Sequence, residues 1–309
     1  EEDAWRRDFT LNCLYYSIED FSVVDFTGGW ADLEAKTIRL IGDPETRYRE
    51  DPVRMLRAIR FAAKLDFTIE RETLAAIPKC ADLLSEMPPA RLYDEVLKLF
   101  AGGAALQSYE LLRRYDLLGF LFPETDSLIR EDEWSSASKL VEKALQNTDK
   151  RIAEGKPVTP AFLFAALLWP PMKDDAEAAG FQGLTELQAY ETAGSDVIAR
   201  QVNHVAYPKR LAMITREIWG MQPRLVRQRG RRALGLMGRP RFRAAYDFLA
   251  LRAEAGEPVR EVNFYLPHTS VPFLRKVEGF ENFNPQIEVL HCIKPGTGLI
   301  DAPRAFSMK

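Results

Sequence analysis

Residues 45–64, ETRYREDPVRMLRAIRFAAK, constrain the fold most, because they predict a helix with a defined start. Pro52 suits the first helical position, and Asp51 before it suits the N-cap. On a wheel of 3.6 residues per turn, one arc is apolar and can pack on a core. That arc holds Val53, Met55, Leu56, Ile59, Ala62 and Ala63. The opposite arc holds Glu50, Asp51, Arg54, Arg57, Arg60, Phe61 and Lys64.

Carboxylates and guanidiniums therefore lie side by side on the polar arc. Arg54 lies about 60° around the helix from Asp51, one turn further on. Such a pair can be an exposed ion pair that contributes about 0.3–0.5 kcal/mol. It can also bind the edge of a nucleobase, with the carboxylate accepting hydrogen bonds and the guanidinium donating them. This helix alone favours the first interpretation.

Three further motifs surround the helix: RRDFTLN (6–12), DFTGGWADL (25–33) and PPARLYDE (88–95). In this order and spacing the four motifs resemble class II nucleotidyltransferases, the family of bacterial poly(A) polymerases and CCA-adding tRNA nucleotidyltransferases. The resemblance covers roughly residues 1–258. It implies a mainly α fold, in which a helical neck, body and RNA-binding region follow the C-terminal remnant of an α/β nucleotidyltransferase head.

The resemblance also implies residue roles. Asp51 and Arg54 would bind the Watson–Crick edge of the incoming nucleotide, Glu50 would orient Arg54, and Asp8 would be a catalytic carboxylate. The implied nucleotide site comprises Arg6, Arg7, Asp8, Asn12, Glu50, Asp51, Arg54, Arg57 and Arg60. For residues 6–10, RRDFT, an exposed charged turn remains the alternative.

Two further features have structural interpretations. The stretch from Asp25 to Asp32 predicts a scaffold in which Asp32 caps the following segment. Arg91 and Glu95 have the i,i+4 spacing of a helical ion pair. That pair is either a plain surface pair or, by resemblance, part of a helix that supports residues 50–54.

The family's metal ligands are two aspartates one residue apart, and no such pair occurs in a suitable context here. Asp174 and Asp175 are adjacent instead. We therefore expect a fragment that begins inside a domain, lacks the catalytic head and is inactive as it stands. By resemblance the cofactor would be Mg²⁺, with its main ligands absent, and the substrate ATP; no residue is predicted to bind metal.

The composition excludes several classes. Hydrophobic residues make up 46% and charged residues 28% of 309, which is ordinary for a globular protein. Cys13, Cys80 and Cys292 lie far apart, so they predict neither a disulfide framework nor a metal site. The longest apolar run, 161–169, is too short to cross a bilayer. We expect a cytoplasmic monomer without membrane contact, and a structural or solvated role for His204.

Residues 209–243 differ sharply from the rest of the chain. They hold eleven Lys and Arg residues against one acid, Glu217, whereas the whole chain carries a net charge of −3. Such concentrated charge favours a phosphate-backbone contact over a solvated face. The predicted RNA-binding residues are Lys209, Arg210, Arg224, Arg227, Arg229, Arg231 and Arg232. This arginine-rich end resembles the poly(A) polymerase branch more than the CCA-adding branch.

Residues 259–309 follow a different pattern. Roughly residues 262–309 weakly resemble a fragment of copia-type retroelement reverse transcriptases, chiefly through VLHCIKPGTGLIDAPRAFSMK (289–309). A divergent C-terminal tail is the alternative. We expect an unrelated or fused segment without polymerase activity, and no metal site at His291 and Cys292.

The sequence therefore predicts four parts: a head remnant (1–41), a neck with the base-reading helix (42–125), a helical body with the arginine-rich region (126–258) and the tail (259–309). The predicted function is template-independent transfer of AMP from ATP to an RNA 3′-end. The alternatives are CCA addition to tRNA and a non-catalytic RNA-binding module.

Overall fold

The computed structural model describes residues 2–227 and 235–259, with the backbone alone for Arg227. The fold is mainly α, as the sequence predicts. The helices are α1 (Glu2–Arg6), α2 (Gly29–Glu34), α3 (Pro44–Glu50), α4 (Val53–Leu65), α5 (Arg71–Ala75), α6 (Ile77–Cys80), α7 (Pro89–Phe100), α8 (Ala105–Arg114), α9 (Leu118–Leu121), α10 (Pro123–Glu131), α11 (Ser136–Ala153), α12 (Pro160–Leu167), α13 (Trp169–Phe181), α14 (Glu186–Gln201), α15 (Lys209–Arg227) and α16 (Phe242–Glu254). Thr10–Asn12 and Ala81–Glu86 form 3₁₀ turns.

The strands in the described residues form two small pairs. β1 (Leu14–Tyr16) pairs antiparallel with β2 (Val23–Asp25), with Leu14 opposite Asp25. β3 (Thr37–Ile38) pairs parallel with β4 (Thr68–Ile69), with Thr37 opposite Thr68. The strands are shorter than the β-branched runs at 21–26 and 37–41 suggest. β3 and β4 hold the start of the chain against the region that follows α4.

Residues 45–64, predicted as one helix, belong to two helices. α3 ends at Glu50, Asp51 has extended backbone (φ −150°, ψ 94°), and α4 begins after Pro52. The break has a steric cause, because a residue that precedes proline is disfavoured in the α region. Asp51 still acts near the predicted N-cap, since its Oδ1 accepts a 3.3 Å hydrogen bond from Val53 N.

The apolar arc of α4 packs into the core as predicted. Its six members are all 3% exposed or less. All of them except Ala63 belong to one continuous cluster that extends from Phe9 to Ala255 and includes the fully buried Trp169 and Trp219. This core crosses the expected boundaries at 41/42 and 125/126, so the four-part division remains a prediction.

The adjacent prolines Pro170 and Pro171 do not break a helix, because they occupy the first turn of α13, where no intrahelical N–H bond is lost. One local prediction, the Asp32 cap, is wrong. Asp32 is not a cap but lies inside α2, where its Oδ2 accepts from Thr10 Oγ1 at 2.7 Å. The cap of α2 is Asp25, which accepts four backbone N–H bonds from residues 27–30 at 2.9–3.0 Å.

Several predictions fall outside the described residues. These are the RNA-binding roles of Arg229, Arg231 and Arg232, and the nature of the tail from residue 260 onward, including His291 and Cys292. Within the described part of the chain, no helix combines the length and apolar character that crossing a membrane requires.

Candidate functional site

The break between α3 and α4 places an acidic and a basic side chain beside each other. Arg54 Nη1 donates to Glu50 Oε2 at 2.9 Å and to the backbone oxygen of Arg47 at 2.6 Å. The hydrogen bond from Arg54, with help from Arg47, lowers the pKa of the Glu50 carboxyl. Glu50 is thus an anion that holds Arg54 at the helix break. The other guanidinium nitrogens of Arg54 make no hydrogen bond to the described residues.

Asp51 is held from the opposite side by a residue of α7. Arg91 Nη2 donates to Asp51 Oδ2 at 2.7 Å, across 40 residues of sequence. The predicted i,i+4 pair between Arg91 and Glu95 is therefore wrong, since Glu95 pairs with Lys98 at 2.6 Å instead. The tertiary contact with Asp51 wins because Arg91 lies on the side of α7 that meets the helix break. α7 thus contacts Asp51, one of the residues predicted to read the base.

Asp8, which precedes the first 3₁₀ turn, lies against the polar face of α4 at Arg57, one turn beyond Arg54. Its carboxylate is only 7% exposed and accepts from Phe9 N and from Asn12 Nδ2 through Oδ1, at 2.9 and 3.0 Å. Its Oδ2 lies 2.6 Å from Arg57 Nη2, at an angle that does not make a hydrogen bond. Three predicted site residues therefore meet here, around one buried carboxylate.

Arg47 connects the helix break with the segment before Asp8, although the sequence pattern did not predict this role. Its guanidinium donates to Glu50 Oε2 at 2.7 Å and to the backbone oxygens of Arg6 and Arg7. It thereby fixes the segment before Asp8 against α3. Its position four residues before Asp51 could have indicated that Arg47 belongs to the site. Its backbone partners at Arg6 and Arg7 could not be predicted, because they depend on the tertiary fold.

Arg60 and Glu95 leave buried polar atoms unused. Arg60 stacks on the Phe61 ring, 4.3 Å from its centroid, and burial lowers the pKa of its guanidinium. Arg60 Nε and Glu95 Oε2 are buried and make no hydrogen bond to any described residue. Buried polar groups normally have partners, so these two atoms are exceptions in the packing beside α4.

The remaining predicted nucleotide ligands lie at the edge of this site. The Arg7 side chain turns to Asp3 at 3.1 Å and lies 5.6 Å from the Tyr15 ring centroid. Arg6 is exposed at the end of α1. Their side chains therefore do not join Asp8 in this arrangement.

A complete metal site is not formed by the described residues. No group of three or more His, Cys, Asp or Glu side chains in ranges 2–227 and 235–259 is arranged to hold an ion. Asp8, the predicted catalytic carboxylate, has Arg57 at its second oxygen. These residues do not fit a Mg²⁺ site by themselves.

The arginine-rich region is only partly visible. Lys209 and Arg210 are exposed at the start of α15. Arg224 is 31% exposed and lies 4.0 Å from Glu191, at the limit of an ion pair. Arg252, just beyond this region, faces inward and pairs with Glu257 at 2.9 Å. The predicted positive surface therefore begins on α15.

The chain is similar to known proteins over most of its length. Three protein-family models match, described as the poly A polymerase head domain (1–39), the probable RNA and SrmB-binding site of polymerase A (66–129) and the polymerase A arginine-rich C-terminus (182–265). Poly(A) polymerase I of Escherichia coli O157:H7 is 51% identical over 255 residues, which are 82% of this chain. The chain belongs to the poly(A) polymerase family.

Further relatives match different lengths of the chain. Poly(A) polymerase I of Haemophilus influenzae is 45% identical over 255 residues. The chain spans 55% of the E. coli relative and 56% of the H. influenzae relative. The CCA-adding enzyme of Bacillus subtilis is 40% identical over 137 residues, 43% of this chain and 34% of that enzyme. None of these matches supports the retroelement resemblance of the tail.

Solved structures support the fold of the chain. The Thermotoga maritima CCA-adding enzyme, complexed with tRNA, superposes with a TM-score of 0.53 at 20% identity, covering 82% of this chain and 59% of that one. A CCA-adding enzyme with bound CTP gives a TM-score of 0.54 at 20% identity, covering 96% of this chain and 64% of that one. At this identity the likeness concerns the fold alone.

Proposed function

We propose that this chain supplies the nucleotide-selecting and RNA-binding parts of a poly(A) polymerase, which transfers AMP from ATP to an RNA 3′-end. The observation that carries the proposal is the helix break. There Asp51 and Arg54 lie side by side, Asp51 held by Arg91 at 2.7 Å and Arg54 held by Glu50 at 2.9 Å. A fixed acceptor next to a fixed donor suits recognition of a planar base edge, because neither side chain must be ordered on binding.

The pattern of this pair selects among bases. Adenine presents an amino donor next to a ring-nitrogen acceptor on its Watson–Crick edge. Asp51 would accept from the amino group and Arg54 would donate to the ring nitrogen. Guanine and uracil present the reverse order and would oppose donor to donor and acceptor to acceptor. Cytosine presents the same order as adenine, so this pair accepts both ATP and CTP.

The other site residues would hold the rest of the nucleotide. Arg57 and Arg60 lie one and two turns further along α4 from Arg54, and unused polar atoms lie near them. Arg6 and Arg7 would reach the phosphates or ribose by a side-chain movement, which costs little because both are exposed. By resemblance ATP would bind as its Mg²⁺ complex, and the described residues by themselves do not fit that ion.

RNA would bind along the arginine-rich region, through Lys209, Arg210, Arg224 and the arginines that follow. The charge of that region, beside an overall negative chain, supports this role. We further infer a cytoplasmic monomer organised in the four predicted parts. Light scattering on the purified chain tests the monomer.

ATP binding by the chain tests the base-reading role. Isothermal titration of ATP would compare the chain with Asp51→Ala and Arg54→Ala. Hydrogen bonds to charged groups are worth about 1.5–3 kcal/mol, so each variant should weaken binding about tenfold to a hundredfold. Asp82→Ala and Arg114→Ala are matched controls, since both side chains are exposed and form no hydrogen bond or ion pair within the described residues. Equal ATP affinity in all five proteins would contradict the proposal.

CCA addition to tRNA is the second candidate, favoured by the CCA-adding relatives and by the shared adenine–cytosine pattern. Incorporation of labelled ATP and CTP into a short RNA with Mg²⁺ separates the candidates. ATP-only incorporation supports poly(A) synthesis, and incorporation of both supports CCA addition. RNA binding without incorporation supports a non-catalytic module for the chain by itself.

A further inference from the structure

An open groove of about 670 Å³ lies between α14, α15 and the segment before α16. One face of α15 forms its floor, because Met213, Arg216, Gly220 and Arg224 follow the spacing of a single helix face. Tyr190 of α14 closes one side. Gly220 keeps the floor open, since a Cβ atom added there would meet nothing within 4 Å.

The groove has guanidiniums without carboxylate partners. Arg216 and Arg239 both line it, both are exposed, and neither forms an ion pair with any residue in the described ranges. Arg224, the third, lies 4.0 Å from Glu191. The other acid of the lining, Glu217, lies 3.7 Å from Arg241 outside the groove. The net field inside the groove is therefore positive.

Apolar surface lies between these charges. Met213 is 60% exposed, which is unusual for a methionine side chain. The Tyr190 ring packs edge-on against the buried Trp169, 6.1 Å between centroids, and so has a fixed orientation. A flexible thioether and a fixed aromatic ring beside arginines form the combination that binds single-stranded nucleic acid, with phosphates on the guanidiniums and bases on the apolar surface.

We propose that this groove binds a short length of single-stranded RNA, with Arg216, Arg224 and Arg239 on its phosphates and Met213 and Tyr190 against its bases. The inference rests on the proposed RNA-binding function and gives it a specific site. Arg216 and Arg239 are additions to the RNA-binding residues that the charge pattern predicts. A double helix would not enter a groove of this size, so the single strand is the occupant.

The first test removes charge. Binding of a short labelled oligoadenylate to the full chain would be measured by fluorescence anisotropy across a salt series. Each lost phosphate contact lowers the salt slope by about 0.7, which is about fivefold in affinity at roughly 0.1 M salt. Arg216→Ala with Arg239→Ala should therefore weaken binding about 25-fold. Lys139→Ala with Lys150→Ala removes equal charge from exposed positions on α11, outside the three family matches, and should change little.

The second test fills the groove and leaves every charge in place. Gly220→Leu puts a side chain into open space and also suits a helix interior better than glycine, so the variant should fold. It should weaken oligoadenylate binding, whereas Gly180→Leu, at an exposed position of α13, should not. Thermal unfolding of each variant verifies the fold.

The outcomes separate the two proposals. If the chain does not bind RNA at low salt, the RNA part of the proposed function fails, and the groove fails with it. If the chain binds RNA but the α11 pair weakens binding as much as the arginine pair, or Gly220→Leu has no effect, only the groove proposal is overturned.

Discussion

Asp51 is oriented by two residues that lie on different helices. Val53 N binds one of its oxygens at the start of α4, and Arg91 of α7 binds the other at 2.7 Å. The first contact is local, and Asp-Pro before an amphipathic run predicts it. The second depends on how α7 packs against the helix break. Sequence spacing suggested the wrong partner, Glu95, because the i,i+4 rule considers only pairs within one helix.

Arg91→Ala should separate positioning from stability. The Arg91–Asp51 pair is partly exposed, so its loss should cost at most about 1 kcal/mol of unfolding free energy. ATP affinity should fall about tenfold, because the Asp51 carboxylate would have to be ordered on binding. Arg91→Lys, which keeps the charge and one donor, should recover part of the loss.

Calorimetry and thermal unfolding check this prediction, with Arg114→Ala as the control. A variant that loses stability but keeps its ATP affinity would show that Arg91 has a structural role only.

At the scale of elements, residues 25–34 show what a pattern leaves open. The sequence identifies a scaffold with glycines and two aspartates, but the pattern predicts Asp32 as the cap, which is the wrong one. Asp25 caps α2, because the tight turn at Gly28 (φ +79°) brings four N–H groups to its carboxylate. Asp32 instead accepts from Arg39 Nε at 3.1 Å. Both roles depend on a turn geometry that residue types alone do not fix.

Asp25→Asn should show how much the negative charge of Asp25 contributes to the stability of the folded chain. Burial would raise the pKa of the Asp25 carboxyl, but four backbone N–H donors outweigh it and lower the pKa. A group with a lowered pKa in the folded state stabilises above its unfolded pKa, about 3.9, and loses that stabilisation as the pH falls further. The melting temperature of Asp25→Asn should therefore lie below that of the parent at neutral pH.

The same difference should shrink below about pH 4, where the parent carboxyl takes up its proton. Melting curves at a series of pH values check this, with Asp174→Asn as the control at an exposed site without a hydrogen bond in the described residues. A difference independent of pH would mean that charge is not what Asp25 contributes.

For the whole molecule, the family resemblance implies the mainly α fold and the charge pattern gives the position of the basic region, but neither predicts which arginines face inward. Arg252 ends buried, with Nε 2.9 Å from Glu257 Oε2 and its guanidinium 4.5 Å from the Trp169 ring centroid. Glu257 also accepts from Trp169 Nε1 at 2.5 Å. This network connects α13 with the end of α16, and through Gln222 with α15. A charge count cannot separate such a residue from a solvated one.

Glu257→Ala should therefore destabilise the whole chain rather than its end alone. Glu257 and Arg252 are only 6% and 8% exposed, so the variant leaves a buried guanidinium without its anion. Losing one partner of a buried pair costs about 3–5 kcal/mol, whereas replacing both partners by apolar residues is often neutral. The double variant Arg252→Met with Glu257→Leu should thus recover most of the stability.

Glu254→Ala, exposed and three residues away, is the control. Chemical denaturation measures all three, and equal midpoints for Glu257→Ala and Glu254→Ala would show that the network does not hold these helices together.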